Sequence, residues 1–108
     1  MKVDVDAEAD ALTKQIGGNA RIIRETLGLS LRDAEERAAA VGYRIAYTFI
    51  GKLERGEKAW NMKTLAGLAA TYGVAPEALL LPPSEQALLQ LVRAGGPLAA
   101  ITWARSQI

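Results

Sequence analysis

Apolar residues recur at the three- and four-residue spacing of α-helices through most of the chain. This spacing marks one apolar stripe on each of four successive predicted helices. The four stripes are Ala20, Ile23 and Leu27; Leu31, Ala34, Ala38 and Val41; Ala46, Ile50 and Leu53; and Met62, Leu65, Leu68, Ala69 and Tyr72. Ala and Leu dominate the apolar residues, and β-branched runs are few, which favours helix over strand. We therefore expect an all-α fold.

Capping residues and glycines indicate where the first helices begin and end. Asp4 or Asp6 can cap a helix that runs through Gln15. Gly17 and Gly18 are then expected to break or bend the chain, because glycine is unfavourable inside a helix. A second helix follows the glycine pair and ends at Gly28.

The later helices have clearer end signals. Ser30 and Asp33 have the spacing of a capping box at the start of the next helix. Gly56 is expected to end the helix over residues 46–56. Asn61 is expected to cap the following one, and Pro76 fits the first turn of a short last helix. Leu79 and Leu80 of this last helix are expected to complete the core.

The predicted helix over residues 46–56 has two different faces. Its buried stripe leaves an outward surface with an aromatic ring, a hydroxyl, two cations and a glycine, contributed by Tyr47, Thr48, Gly51, Lys52 and Arg55. Such a surface suits contact with an anionic partner, and glycine lets a backbone or ligand come close. The same pattern also fits a core helix with a solvated exterior.

Composition and charge narrow the classes of function. The 108 residues suggest one small domain with a short appendage, and the absence of His and Cys removes the commonest general base, metal ligand and nucleophile. We therefore expect no enzyme, metal or cofactor. Residues 14–73 hold ten cations and six acids, whereas residues 1–13 hold one cation and four acids. A basic middle segment is a weak indication of nucleic-acid binding.

Membrane insertion and export are not expected. No apolar run approaches the roughly 20 residues that span a bilayer. The N-terminal sequence MKVDVDAEAD is acidic and lacks the apolar segment of a signal peptide. The expected location is the cytoplasm, which the absence of Cys also suits.

Three segments together resemble a known family. The segments IGGNARIIRETLGLSLRDAEERA, AYTFIGKLERG and NMKTLAGLAATYGVAPEALL are similar to the Cro/CI-type (XRE-like) helix-turn-helix of phage repressors and bacterial regulators. The resemblance implies a five-helix lambda-repressor-like DNA-binding domain over residues 16–81. An acidic helical segment over residues 1–15 precedes it, and a C-terminal helical extension over residues 82–108 follows it.

The resemblance also implies a bacterial or phage-encoded protein associated with the nucleoid, and it implies roles for individual residues. Arg24 and Glu54 match a buried ion pair that ties the first helix to the recognition helix. The positions that read base edges are Tyr47, Thr48 and Lys52. The positions that contact the DNA backbone are Ser30, Arg44, Arg55, Lys58, Trp60 and Asn61. Phe49 fits either the core or a thymine methyl contact, and we expect the core.

The sequence departs from the family pattern in one connection. The span from Ser30 to Glu54 is longer than in the family, and the additional residues fall between positions 39 and 45. Either the second family helix is longer or the turn is enlarged. Tyr43 and Arg44 in this insertion can add a backbone contact.

Residues 84–108 are apolar and nearly uncharged, a composition typical of a surface that binds a partner. We expect them to form a homodimer through apolar side chains, namely Leu88, Leu91, Val92, Ile101 and Trp103. Packing back onto the same domain is the alternative. The expected function is a sequence-specific regulator of transcription, a repressor that binds double-stranded DNA as a dimer on a pseudo-palindromic operator. The alternative function is an antitoxin that binds a protein toxin and regulates its own gene through the same motif.

Overall fold

Residues 2–81, which the computed structural model describes, form five α-helices and no strand. The helices are α1 (Val5–Thr26), α2 (Leu31–Ala40), α3 (Tyr47–Glu54), α4 (Met62–Tyr72) and α5 (Pro76–Leu79). The all-α prediction is confirmed for this part of the chain. The predicted extension over residues 82–108 lies outside it, as do the expected dimerisation residues Leu88, Leu91, Val92, Ile101 and Trp103.

The first helix is continuous, so the predicted break at the glycine pair is wrong. α1 covers 22 residues, and Asp4 caps it by accepting a 3.1 Å hydrogen bond from the backbone N–H of Ala7. Gly17 is buried against the end of α3, where a Cβ would lie 2.8 Å from the Glu54 carbonyl oxygen and closer still to that of Leu53. Glycine here permits a close helix–helix approach. The predicted boundary at residue 15 falls within this helix.

The core gathers one face of each helix. Its fully buried apolar side chains include Ala20, Ile23, Ala34, Ala38, Ile50, Leu53, Leu68, Tyr72 and Leu79. These positions follow the predicted stripes, because each helix presents the residues three and four apart to its neighbours.

Five predicted core positions lie at the surface instead. Val41 is 51% exposed and Met62 78%, because they stand at the C-cap of α2 and the first position of α4, outside the packed turns. Leu80 is 47% exposed at the C-cap of α5, and Ala46 is exposed at the N-cap of α3. Phe49 is 38% exposed, because it lies one residue, or about 100°, away from Ile50 around α3.

The enlarged connection between α2 and α3 is a turn and not a longer helix. α2 ends at Ala40, where Gly42 has a left-handed φ of 87° and the Tyr43 N–H donates to the Ala38 carbonyl over 2.8 Å. This is the hydrogen-bond pattern of a glycine-terminated helix end. The Tyr43 ring lies on Gly67 of α4, where a Cβ would be 2.6 Å from Cδ2 and Cε2. Tyr43 is therefore half-buried against α4.

Two side chains of α1 also form hydrogen bonds with the backbone of residues 79–81. The Asn19 side-chain amide donates to the carbonyl oxygens of Leu79 and Leu81 over 2.9 and 2.8 Å, and Asn19 is itself buried. Gln15 donates to the Leu81 carbonyl over 2.9 Å. No helix in residues 2–81 has both the length and the apolar character needed to cross a membrane.

Candidate nucleic-acid interface

Arg24 and Glu54 form the ion pair that the resemblance implied. Arg24 Nε and Nη2 lie 2.7 and 2.9 Å from the two carboxylate oxygens of Glu54, and Nη1 donates to the Leu29 carbonyl over 2.7 Å. The side chains are only 11% and 5% exposed. The hydrogen bond to Glu54 raises the pKa of Arg24, against the opposing effect of burial. One guanidinium thus joins α1, the α1–α2 turn and the last turn of α3.

The opposite side of α3 faces solvent. Thr48 and Lys52 are exposed, whereas Ile50, Leu53 and Glu54 are buried. Successive residues of a helix are separated by about 100°, which places Thr48 and Lys52 within one narrow arc. Tyr47 is half-buried at the edge of this arc. The three residues predicted to read bases are therefore on the outward side of one short helix.

Tyr47 is held by α2 through a residue that the sequence reasoning did not select. The guanidinium carbon of Arg32 lies 4.8 Å from the centroid of the Tyr47 ring, and Arg32 Nη2 donates to the Tyr47 hydroxyl over 3.2 Å. Stacking of a cation on an aromatic face is favourable. Arg32 therefore orients the tyrosine and brings a positive charge next to it.

Glu35 is a second residue that sequence reasoning missed. α3 has Ala46 at its N-cap, which has no side-chain acceptor, and the Tyr47 N–H donates instead to Glu35 Oε1 over 2.9 Å. A carboxylate at a helix N-terminus satisfies an otherwise unpaired donor and favours the helix dipole. The lack of a capping residue at position 46 was the available signal that an acceptor from elsewhere is needed.

Gly51 is buried, although it belongs to the outward side of α3. A Cβ on Gly51 would lie 3.0 Å from Arg55 Nη1 and 3.3 Å from Leu31 Cδ1. The Arg55 Nε donates to Glu57 Oε2 over 2.5 Å. The Arg55 side chain thus lies back along α3, next to the first residue of α2.

Apart from Arg55, the residues predicted to contact the DNA backbone fall into two groups. Ser30, Trp60 and Asn61 are engaged within the protein. The Ser30 hydroxyl accepts from the Asp33 N–H over 3.0 Å, Trp60 Nε1 donates to the Leu53 carbonyl over 3.4 Å, and Asn61 Oδ1 accepts from the Thr64 N–H over 2.8 Å. Arg44 and Lys58 are exposed, and Arg44 lines a shallow groove with Tyr43 and Lys63.

Acidic side chains near α3 are mostly occupied. Asp33 accepts from the Ser30 N–H over 2.9 Å, and this hydrogen bond lowers the pKa of the Asp33 carboxyl. Within residues 2–81, five cations on or near α2 and α3 have no carboxylate within ion-pair distance, namely Arg32, Arg37, Arg44, Lys52 and Lys58. The surface beside α3 therefore has unpaired positive charge.

The described residues thus combine an outward helix face, cations at its edges and an ion pair behind it. Comparisons with known protein families, with curated proteins and with solved structures found no match to this chain.

Proposed function

We propose that this protein is a sequence-specific regulator of transcription that binds double-stranded DNA with a lambda-repressor-like helix-turn-helix. α2 and α3 are the two helices of the motif, and α3 enters the major groove. The observation that carries the proposal is the orientation of α3. Its inner side is fixed by the Arg24–Glu54 pair, and its outer side presents Thr48 and Lys52 with Tyr47 at the edge.

The size and chemistry of α3 suit this role. An α-helix with its side chains is about 10–12 Å in diameter, which matches the major-groove width of about 12 Å. The Lys52 ammonium can donate to guanine O6 and N7, and Thr48 can contact a base edge or a thymine methyl group. Phe49, exposed next to Lys52, can make a second apolar contact with a thymine methyl group.

Affinity that does not depend on sequence comes from other groups. Arg44 and Lys58 are exposed cations on the two connections that flank α3, and each can neutralise a phosphate. The first N–H groups of α2 point out of a helix of ten residues, where the dipole favours an anion. These contacts supply salt-dependent binding and set the register of α3 in the groove.

Repression follows if the bound protein occupies an operator. Two copies related by a two-fold axis place their recognition helices about one DNA turn, 34 Å, apart. We propose that residues 82–108 supply the dimer contact, and no catalytic step is part of the function.

The experiment is selection of bound fragments from random duplex DNA by the full chain. Enrichment of a pseudo-palindrome with half-sites one helical turn apart is the expected result. A matched selection uses the double variant Thr48→Ala and Lys52→Ala, with its fold checked by circular dichroism, and it should lose the enriched site. If the wild-type chain enriches no site, the proposal is wrong.

A further inference from the structure

The guanidinium of Arg55 occupies the middle of the outward side of α3. At about 100° per residue, Gly51 and Arg55 fall inside the arc that begins at Tyr47 and ends at Lys52. Arg55 Nη1 is 3.0 Å from the place where a Gly51 Cβ would stand. The resemblance assigned Arg55 to the DNA backbone, but its head group lies between the side chains proposed to read bases.

The absence of a side chain at Gly51 leaves room for the Arg55 guanidinium on this side of α3. Side chains on a helix lean toward its N-terminus and cover the turn before their own residue, so Arg55 leans over position 51. A residue with a Cβ at 51 would meet both Nη1 and the Leu31 side chain at 3.0 and 3.3 Å. Glycine leaves a shallow hollow beside Leu31, and the Arg55 guanidinium lies over it.

Glu57 holds the inner nitrogen of the same group. Arg55 Nε donates to Glu57 Oε2, while Nη1 and Nη2 have no hydrogen-bond partner within residues 2–81. The Glu57 carboxylate offsets the positive charge of the guanidinium, so the pair as a whole attracts phosphate less than a lone arginine would. It leaves the two outer nitrogens as directional donors, and paired donors match the O6 and N7 acceptors of guanine.

We propose that Arg55 reads a guanine in each half-site of the DNA, through O6 and N7, and that Glu57 is the positioning residue that orients it. The proposal rests on the proposed function, because it needs α3 in the major groove. If Arg55 reads bases, each half-site must contain a guanine opposite the last turn of α3.

The test measures affinities of the full chain for the selected site and for the same site with each base pair changed in turn. Arg55→Lys keeps the positive charge but loses the paired donors. We expect it to weaken binding to the selected site about ten- to hundredfold, to remove the preference for guanine at one position, and to leave the salt dependence unchanged. Replacing that guanine with 7-deazaguanine should weaken the wild type and have less effect on the variant.

Two further variants separate this role from a structural one. Glu57→Gln should reduce the preference at the same base pair while raising affinity for unrelated DNA, because a negative charge is lost. Lys58→Ala, the control, should weaken binding to all sequences alike and lower the salt slope by about one. Thermal melting of each variant reports whether its fold is intact.

The failures of the two proposals are distinguishable. If the wild type selects no site, the proposed function fails. If it selects a site and Arg55→Lys retains every base preference, only the reading of guanine by Arg55 is wrong. An Arg55→Ala variant provides the opposite outcome. If it loses affinity equally for all sequences and has a reduced salt slope, Arg55 contacts phosphate and this inference is wrong.

Discussion

Gly17 of α1 packs directly against the backbone of Leu53 in α3, with no room between them for a side chain. The adjacent Gly18 has no atom within 4 Å of the place where its Cβ would stand. Two neighbouring glycines in one helix thus have different surroundings, and only the first is required by packing.

Gly17→Ala should destabilise the protein by about 1–3 kcal/mol, because α3 must move away from α1 to admit the methyl group. Gly18→Ala is the matched control and should stabilise it by about 0.5–1 kcal/mol, since alanine is the better helix former. Urea denaturation of both variants measures the difference. Equal effects of the two substitutions would contradict the close approach of α1 and α3.

Glu54→Gln should lower the free energy of unfolding by about 3–5 kcal/mol, because it leaves the Arg24 guanidinium buried without a counter-charge. The exposed pair Arg21–Glu25, 2.6 Å apart on the surface of α1, provides the control. Glu25→Gln should change stability by less than about 1 kcal/mol. Urea denaturation measures the free energy of unfolding of both variants. If Glu54→Gln lowers it no more than Glu25→Gln does, the buried pair has no structural role.

Tyr72→Phe should leave stability unchanged or raise it by about 1 kcal/mol. The Tyr72 hydroxyl is buried and has no hydrogen-bond partner in residues 2–81, and burial raises its pKa. The neighbouring Thr71 is the contrast, because its hydroxyl donates to the Gly67 carbonyl over 2.8 Å. Thr71→Val should therefore cost about 1 kcal/mol. Thermal melts of both variants test the prediction, which fails if Tyr72→Phe costs as much as Thr71→Val.

Asp33→Asn should destabilise the protein at pH 6 and have a smaller effect at pH 3. Hydrogen bonds from Ser30 place the folded-state pKa of Asp33 below its ordinary, unfolded-state value. The stabilising contribution of the carboxylate is thus complete above about pH 4 and is lost as the pH falls through the folded-state pKa. Urea denaturation of both proteins across this range gives the difference. A difference that is constant with pH would count against the capping box.

Lys52→Ala should weaken binding to the selected DNA site by about 1–3 kcal/mol and relax the preference at one base pair. Lys58→Ala should weaken binding to selected and unrelated DNA by the same factor, because a phosphate contact does not depend on sequence. Competition binding at two salt concentrations separates the two effects. A uniform loss for Lys52→Ala would remove this residue from the set that reads bases.

Helix ends were predictable because their signals are local. Ser30 with Asp33, Asn61 and Pro76 occupy the predicted caps and first turn, and Gly56 stands just after α3. Each is decided by side chains or backbone angles within a few residues.

The remaining features depend on contacts that the local sequence does not encode. Gly17 and Gly18 look alike in the sequence, and only the approach of α3 distinguishes them. Glu35 caps a helix that begins twelve residues later, and Arg55 lies over a hollow beside Leu31. The chemical types on α3 were predictable, whereas their orientation requires the packing of three helices.

The contact of the Tyr43 ring with Gly67 makes the direction of α3 independent of the length of the α2–α3 connection before Tyr43. Because the connection contacts α4 near its middle, it behaves as two short spans. A change in length before Tyr43 should therefore leave the position of α3 unchanged. A residue inserted before Tyr43 should therefore leave the proposed DNA recognition by α3 unchanged, whereas one inserted after Tyr43 should alter it.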